Sequence, residues 1–503
     1  MSSIINTAQA GLRIAQAGLL VTSQNVAGAS VEGFSRRDAN AVINGLAPNS
    51  TVLGGTSFSI EGFTRDYSRL LESQRLTQQG KTAYSETLVQ ATELLDVVIA
   101  DESNSLAASI SKFFDAAGQM VASPESVAYR TNLTHTAEVV TQRIIGTAES
   151  IRQVEEDSRL ALRGKLTEAN QIAEKLAMIN EKILDGTSNG NFTPSADLLD
   201  ERDRLLMGLQ KLIGGQSTVN ADATASHYLD GIPLVERIFA NSFVNDNLEG
   251  SVDQIQIRYN SFQNHFSLER YEEGLGQLNQ DRSKNVSNPV IATSLIAGGE
   301  VGAYLTVIRD FLPDLNRRLD AVSISLVKTV NDISPTPIFG FRVPTGEIVS
   351  NPSTDAFLSE VPEINSALDV FRVRDMLNPA KSDYTPGLTQ LMSRNIISLA
   401  PHNANEWAID SDEVYAIEAL RSKFSDPIAD VIATVGNSIA TWLNDDAANK
   451  SVMQVLNDRR ESVSGVNLDE EAANMVKFQQ LYAASSKIIQ TGNQMFDTLL
   501  AMF

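Results

Sequence analysis

A seven-residue apolar repeat runs through both ends of this chain, and it narrows the possible folds more than any other feature. At the start, Ile5, Leu12, Leu19 and Val26 form one series, and Ala8, Ala15 and Thr22 form a second, three residues on. At the far end, Leu468, Met475, Tyr482, Ile489, Phe496 and Phe503 keep the same spacing, with Leu481, Ile488, Met495 and Met502 widening the stripe. Such a repeat is the seam of a helix that packs lengthwise against another helix. The plain reading is a pair of amphipathic helices closing an ordinary bundle. Charge argues for something else. Residues 1–31 hold a single charged side chain, Arg13, and residues 472–503 hold three, Lys477, Lys487 and Asp497. An amphipathic surface helix normally carries a charged outer face; these carry Gln, Asn, Ser, Thr and Ala, which suits contact on several sides, as inside an assembly. Gly11, Gly18 and Gly492 each cost up to ~1 kcal/mol of helix stability, so both helices are expected to be marginal alone and helical when packed.

Between the ends lies a long helical region. From Glu138 to Asp185 there is no proline, and Leu162, Ala169, Leu176 and Ile183 hold a seven-residue register. Gly186 and the Ser188–Asn191 stretch end that run. Ser195 is expected to cap the next helix, with Asp197 in its first turn and Gly214-Gly215 at its end. Leu305, Leu312, Leu319, Leu326 and Ile333 mark a further long helix that Pro313 must start or kink. Two stretches read as β-hairpins. Around 252–271, Ile255, Ile257 and Tyr259 alternate with polar residues, and Phe266 and Leu268 follow; around 336–349, Phe339, Phe341 and Val343 precede Pro344-Thr345-Gly346 and Ile348. The expected fold is mainly α with an inserted β-rich domain, the terminal helices pairing as a coiled coil beside a long helical bundle. The expected parts are a terminal coiled-coil domain (1–60 and 460–503), a helical body (61–215, 296–335 and 412–459) and a β-rich outer domain (216–295 and 336–411).

The chain of 503 residues has a net charge of −22. That balance repels phosphate backbones, so no nucleic-acid partner is expected. Cysteine is absent, which excludes disulfides, thiolate catalysis and cysteine zinc sites. Asn6, Gln9, Arg13 and Gln16 interrupt the first apolar stretch, which does not read as a cleaved secretory signal. No apolar run approaches the ~20 residues of a membrane span, and no membrane partner is expected. His135, His227, His265 and His402 lie far apart without metal-ligand spacing and are expected to be surface or half-buried residues. No nucleophile elbow, P-loop or dinucleotide glycine pattern occurs. Asp197, Asp200, Glu201 and Asp203 interleave with Arg202 and Arg204 and read as surface ion pairs on a helix. Asp410, Asp412 and Glu413 lack the glycine and spacing of a calcium loop and read as a helix cap. Catalytic, cofactor and metal sites are all expected to be absent.

Several stretches together resemble a known family. Ser464-Gly465-Val466-Asn467-Leu468-Asp469-Glu470-Glu471, followed by Phe478-Gln479-Gln480 and an amphipathic helix, resembles the C-terminal segment shared by flagellar rod, hook and hook-associated axial proteins. Gly11-Leu12, Ala15-Gln16, Gln24-Asn25-Val26-Ala27 and Gly33-Phe34-Ser35-Arg36 are similar to the matching N-terminal motif. Leu198-Leu199-Asp200-Glu201-Arg202-Asp203, and Gly298-Gly299 with Leu305 and Arg309-Asp310, resemble segments of the hook-associated members that join hook to filament. Ser30-Val31-Glu32-Gly33-Phe34 departs from the family's Asn-Thr-Pro-Gly-Tyr turn, keeping the glycine and losing the proline. The β-rich middle matches nothing in the family pattern.

The resemblance implies a non-enzymatic structural adapter. Its terminal helices would pair through Ile5, Leu12, Leu19, Val26, Leu468, Met475, Tyr482, Ile489 and Phe496. Its implied partners are the hook protein, the second hook-associated junction protein, its own copies in a ring-like helical assembly, and an export chaperone on the C-terminal segment. Its implied place is outside the cell, reached by type III export without a cleaved signal. Three other readings stand beside it: another axial protein such as the second junction protein or a hook protein, a flagellum-associated hydrolase, and an adhesin acting through the middle domain.

Overall fold

Among the described residues, long helices predominate, as the periodicity requires, and strands are confined to a hairpin near the start and to the middle. The structure is a computed structural model; it describes residues 2–31, 33–44, 57–100, 105–188, 194–244, 255–258, 290–291, 296–334, 336–342, 348–349, 380, 396–399 and 409–500. In order, the elements are α1 (Ser2–Gly28), β1 (Arg37–Asn44), β2 (Ser57–Arg65), α2 (Arg69–Ala100), α3 (Leu106–Val121), α4 (Val127–Ser188) and α5 (Ala196–Ile213). Then come β3 (Gln216–Val219), β4 (Ala225–Leu229), β5 (Ile232–Glu236), β6 (Phe239–Ala240), β7 (Ser242–Val244), β8 (Gln256–Arg258) and β9 (Val290–Ile291). α6 (Gly299–Thr306) continues through a π-wound turn (Val307–Phe311) into α7 (Leu312–Ile333). β10 (Phe339–Arg342), β11 (Ile348–Val349), β12 (Ile396–Leu399), α8 (Ser411–Ala419), α9 (Arg421–Ser464) and α10 (Leu468–Leu500) complete it.

The helix boundaries follow from local chemistry. The Ser195 side chain accepts from the Leu198 amide and caps α5, which ends at Gly214. Asp410 and Glu413 form a reciprocal capping box on α8, each side chain taking the other's backbone amide and so satisfying two donors that the first turn leaves open. Pro313 falls at the first turn of α7, directly after the π-wound turn, in which the Leu312 amide reaches back to Val307. Proline has no amide and clashes with the preceding turn, so the helix widens there instead of breaking.

The chain divides into two compact units, Met1–Tyr84 with Lys165–Gly302 and Ala448–Phe503, and Ser85–Gly164 with Ala303–Ala447. In the second, every residue of α7 from Ala321 to Val330 is buried. Phe113 stacks edge-on against Phe114 and tilts against Phe339, and Phe114 stacks on Phe424. β10 is the middle strand of the antiparallel sheet β11-β10-β12. The hairpin expected at 336–349 is thus present as a ladder, and its Pro344–Gly346 turn lies outside the described residues.

The first unit holds the antiparallel sheets β3-β4-β5-β6 and β7-β8-β9. β8 pairs with β7 and β9, and the strand expected around Phe266 and Leu268 lies outside the described residues. Among the described residues, strands pair within 216–291 and within 339–399, with no ladder between those two groups. Gly299, at a φ of +66°, sits where a Cβ would come within 2.6 Å of the Ile213 amide nitrogen; the start of α6 therefore lies directly on the end of α5. Glu300, in that first turn, takes ion pairs from Lys165 at 2.7 Å and Lys211 at 3.4 Å.

His227 corrects the expectation for the histidines. It lies fully buried on β4, with Nδ1 2.9 Å from the Ser217 hydroxyl, and desolvation pushes its pKa down to about 4. A polar clamp surrounds it in sequence: the Asn180 amide side chain donates to the Ala225 and Arg237 carbonyls and accepts from the Ala225 amide. The backbone groups on either side of His227 thus find partners. His135 is exposed as expected; His265 and His402 lie outside the described residues.

Candidate assembly site at the paired helices

α1 and α10 pack against each other along their length and run antiparallel. Ile5 lies opposite Gly492, Gly11 opposite Ser485, Gly18 opposite Phe478, and Asn25 opposite Glu471. The seam is built from small and polar residues. Ala8, Ala15, Thr22 and Asn25 are buried on α1, and Glu471 and Ser485 on α10. The Phe478 ring occupies the space that a Cβ on Gly18 would need. The close approach explains why glycine is used inside a helix where it costs stability.

Each residue expected at the assembly interface now has a place. Ile5, Leu12, Leu19, Met475 and Ile489 are half-buried. Val26, Leu468, Tyr482 and Phe496 are exposed, the last two by 42% and 52%. Phe503 and Met502 lie outside the described residues. The pairing of the two helices thus matches the sequence reading, but the dry seam between them is different. It lies three residues further along α10, on Glu471, Phe478, Ser485 and Gly492, and not on a line through Tyr482. Leu481, Ile488 and Met495, seven residues apart, stand exposed beside it. The large apolar groups therefore flank the seam and face outward.

The base of the pair is a polar node that joins the two family-like motifs. The Asn25 amide nitrogen donates to the Arg37 carbonyl at 3.0 Å and to Glu471 at 3.2 Å, and its oxygen accepts from the Arg37 amide at 3.0 Å. Arg36 reaches Glu470 at 2.8 Å and Glu471 at 3.2 Å, and its amide donates to the Ser464 carbonyl. Burial works against the Arg36 charge, but the hydrogen bond to Glu470 and the charges of Glu471 and Asp38 outweigh it and raise its pKa. Asn467 caps α10 by accepting from the Asp469 and Glu470 amides.

The β1–β2 hairpin was not anticipated from sequence. It holds Arg37 and Arg65 opposite each other at its base, and both face α5. Arg37 meets Asp197 at 2.5 Å and Asp200 at 3.2 Å; Arg65 meets Asp200 at 2.6 Å and Asp203 at 3.1 Å. Asp203 also takes Arg202, itself almost wholly buried. Desolvation opposes the Arg65 charge, and Asp203 and Asp200 overcome it and raise its pKa. This corrects the surface-pair reading of the acidic cluster. Glu201 with Arg204, and Asp203 with Arg202, are the local pairs on the helix among the described residues. The aspartates instead neutralise two arginines from a distant hairpin, and buried charges of this kind are costly unless paired. A hint was available: Arg37 and Arg65 are basic residues flanking strand-like segments, and Asp200 and Asp203 sit on one helix face.

No group of three or more acidic, histidine or cysteine side chains among the described residues is arranged to hold a metal ion. No helix among them is long and apolar enough to cross a membrane. The chemistry of the site is packing, hydrogen bonding and charge pairing.

Comparison with known proteins accords with this. The family model "Flagellar hook-associated protein FlgK helical domain" matches residues 92–336, and "Flagellar basal body rod FlgEFG protein C-terminal" matches residues 460–502, the stretch that holds α10 and half of the polar node. Flagellar hook-associated protein 1 of Salmonella typhimurium is 24% identical, covering 99% of this chain and 100% of the relative. That of Escherichia coli is also 24% identical with the same coverage, and that of Bacillus subtilis is 22% identical, covering 99% and 97%. The solved hook junction protein FlgK of Burkholderia pseudomallei aligns over 54% of this chain and 46% of its own, with a TM-score of 0.43 and 17% identity. The chain is thus an axial structural protein of the bacterial flagellum. Within that class it is similar over its full length to flagellar hook-associated protein 1. The matched relatives are structural proteins, which fits a non-enzymatic role.

Proposed function

We propose that the chain is the adapter subunit that joins the flagellar hook to the filament, assembling through α1 and α10. The observation that carries this reading is the arrangement of the pair: a small, polar inner seam with Leu481, Ile488, Met495 and Phe496 left facing outward. Exposed apolar residues in a row mark a surface meant to be covered by another protein. The occupants on this reading are neighbouring copies in a ring-like turn, the hook protein below and the second hook-associated junction protein above. A helix with so few charges is also a suitable client for a chaperone before assembly, and the subunit leaves the cell by type III export without a cleaved signal. Folding of the pair is then coupled to docking.

The test is a strain lacking this chain, complemented with the wild type or with Met495→Asp. Loss should give hooks without filaments and flagellin shed to the medium. Met495→Asp should be secreted in normal amounts and still fail to support filaments. Filament growth in the deletion strain would overturn the reading.

A further inference from the structure

The turn that follows α1 is held mainly from outside. Among the described residues of 28–36, the turn holds itself by the Val31 amide to the Gly28 carbonyl at 2.9 Å and the Phe34 amide to the Val31 carbonyl at 3.2 Å. Arg36 ties the end of the turn to Ser464, Asp66, Glu470 and Glu471, and α9 grips its middle. Arg460 donates through Nη2 to the Gly33 and Phe34 carbonyls, both at 2.9 Å, and through Nε to Glu72 Oε1 at 3.1 Å. The other Glu72 oxygen takes Arg75 at 2.6 Å, and Arg75 returns to α9 by donating to Asn457 at 3.0 Å. Arg460, Glu72, Arg75 and Asn457 therefore close a ring between α2 and α9, and the turn hangs on that ring by two carbonyls. Arg460 and Glu72 are both well buried, with side-chain exposures of 16% and 12%.

We propose that Arg460 is a positioning residue that sets the direction of the α1–α10 pair relative to the parts of α2 and α9 that lie in the same unit. The inference rests on the reading of that pair as the assembly element. The covalent links on either side do not fix direction by themselves: α10 is joined to α9 by Gly465, Val466 and Asn467 alone, and α1 to β1 by the turn. Length makes the direction matter. α1 has 27 residues, about 40 Å of helix, so a tilt of about 10° at its base moves the far end by about 7 Å, enough to lose the register with a neighbouring helix. Arginine suits the task because its planar fork offers several donors in fixed directions, to two carbonyls and a carboxylate at once; a lysine ammonium does not preset those directions.

The chain contains no cysteine, so two spin labels can be placed cleanly, at Ser73→Cys on α2 and Gln479→Cys near the base of α10, both exposed positions. In the otherwise wild-type full-length chain the measured distance distribution should be narrow. With Arg460→Met it should broaden about twofold while helix content and melting stay unchanged. With Glu72→Gln, which keeps the guanidinium but weakens its anchor, it should broaden less, in the same direction; that variant decides by the same criterion if Arg460→Met does not fold. An unchanged distribution overturns the inference and leaves the adapter reading intact. A broadened distribution with hooks still capped at full efficiency keeps Arg460 as the positioning residue and counts against the pair as the assembly element.

Discussion

In α7 every side chain from Ala321 to Val330 is buried, and that run includes Ser323, Ser325, Lys328 and Thr329 along with the aliphatics. In α10 the buried residues are Glu471 and Ser485, while Leu481, Ile488, Met495 and Phe496 stand in the open. Both helices carry a seven-residue apolar repeat, yet one is enclosed by its own chain and the other turns its large apolar groups away from its partner. Apolar periodicity says that a helix face will be covered, and it does not say by which molecule. Where the chain supplies its own cover, the helix is finished on folding. Where it does not, the intramolecular seam is small and largely polar, and the large apolar groups stay exposed.

The largest effect that could break this contrast comes from a charge at each place. Leu326→Asp puts an unpaired carboxylate at a fully buried site, costs several kcal/mol and should prevent the second unit from folding. Met495→Asp should leave the melting curve of the isolated chain unchanged, with Ile489→Asp, at a half-buried position, intermediate. Circular dichroism melts of the three variants decide it; a collapse for Met495→Asp would mean that the outer face of α10 is already covered within the chain. Next in size is Asp200→Ala, which takes the shared carboxylate from Arg37 and Arg65, leaves each with one partner, Asp197 or Asp203, and should cost about 3 kcal/mol in denaturant titrations of the first unit. Gly18→Ala is smaller. It pushes against the Phe478 ring and should weaken the pair by about 1–3 kcal/mol, read as faster hydrogen exchange in α10 with protection in α7 retained.

The smallest effects are in pH. His227, in the first unit, has a folded pKa of about 4, below its ordinary 6.5. The folded state thus binds its proton more weakly than the unfolded state, and the contribution is full above pH 6.5 and is lost as pH falls toward 4. Asp320, half-buried on α7, is pushed by desolvation up to about 7 from 3.8. Its contribution has the opposite sign: none of the penalty is felt below pH 3.8, and all of it is felt above 7. Between pH 4 and 6.5 the two groups should therefore give opposite slopes. Asp320→Asn should raise the melting temperature at pH 8 and leave it unchanged at pH 3.5; a rise at both would assign the effect to packing and not to charge.

Much of the helical frame was legible because its signals are local. Ser195 and Asp410 announce helix starts through short side chains that satisfy amides two or three residues on, and Pro313 announces a disturbance in its own turn. The pairing of the two outer helices was legible from the repeat. The identity of the seam was not, because helices with almost no charge lack the polar face that marks which side is outward. Ala15, Gly18 and Ser485 give no hydropathy signal, although they are what allows the backbones to approach. The Arg37–Asp200–Arg65 cluster was misread for a different reason: the arginines are 163 and 135 residues from their acid, and local spacing suggested Arg202 and Arg204 instead. The β1–β2 hairpin escaped notice because its strands carry more polar than apolar residues.

The bond between Asn25 and Glu471 joins residues 446 positions apart. In a disordered chain, closing so large a loop carries an entropic cost that grows with the logarithm of its length. Once α2, α4, α5 and α9 are in place, the same two residues are neighbours at little further cost. Closing the pair is therefore least costly once the interior has formed. A chain cut short before Glu471 would still build its interior, but it would leave Asn25 and α1 without a mate. The pair thus ties two stretches far apart in the polypeptide to each other, and each needs the other for its polar partner.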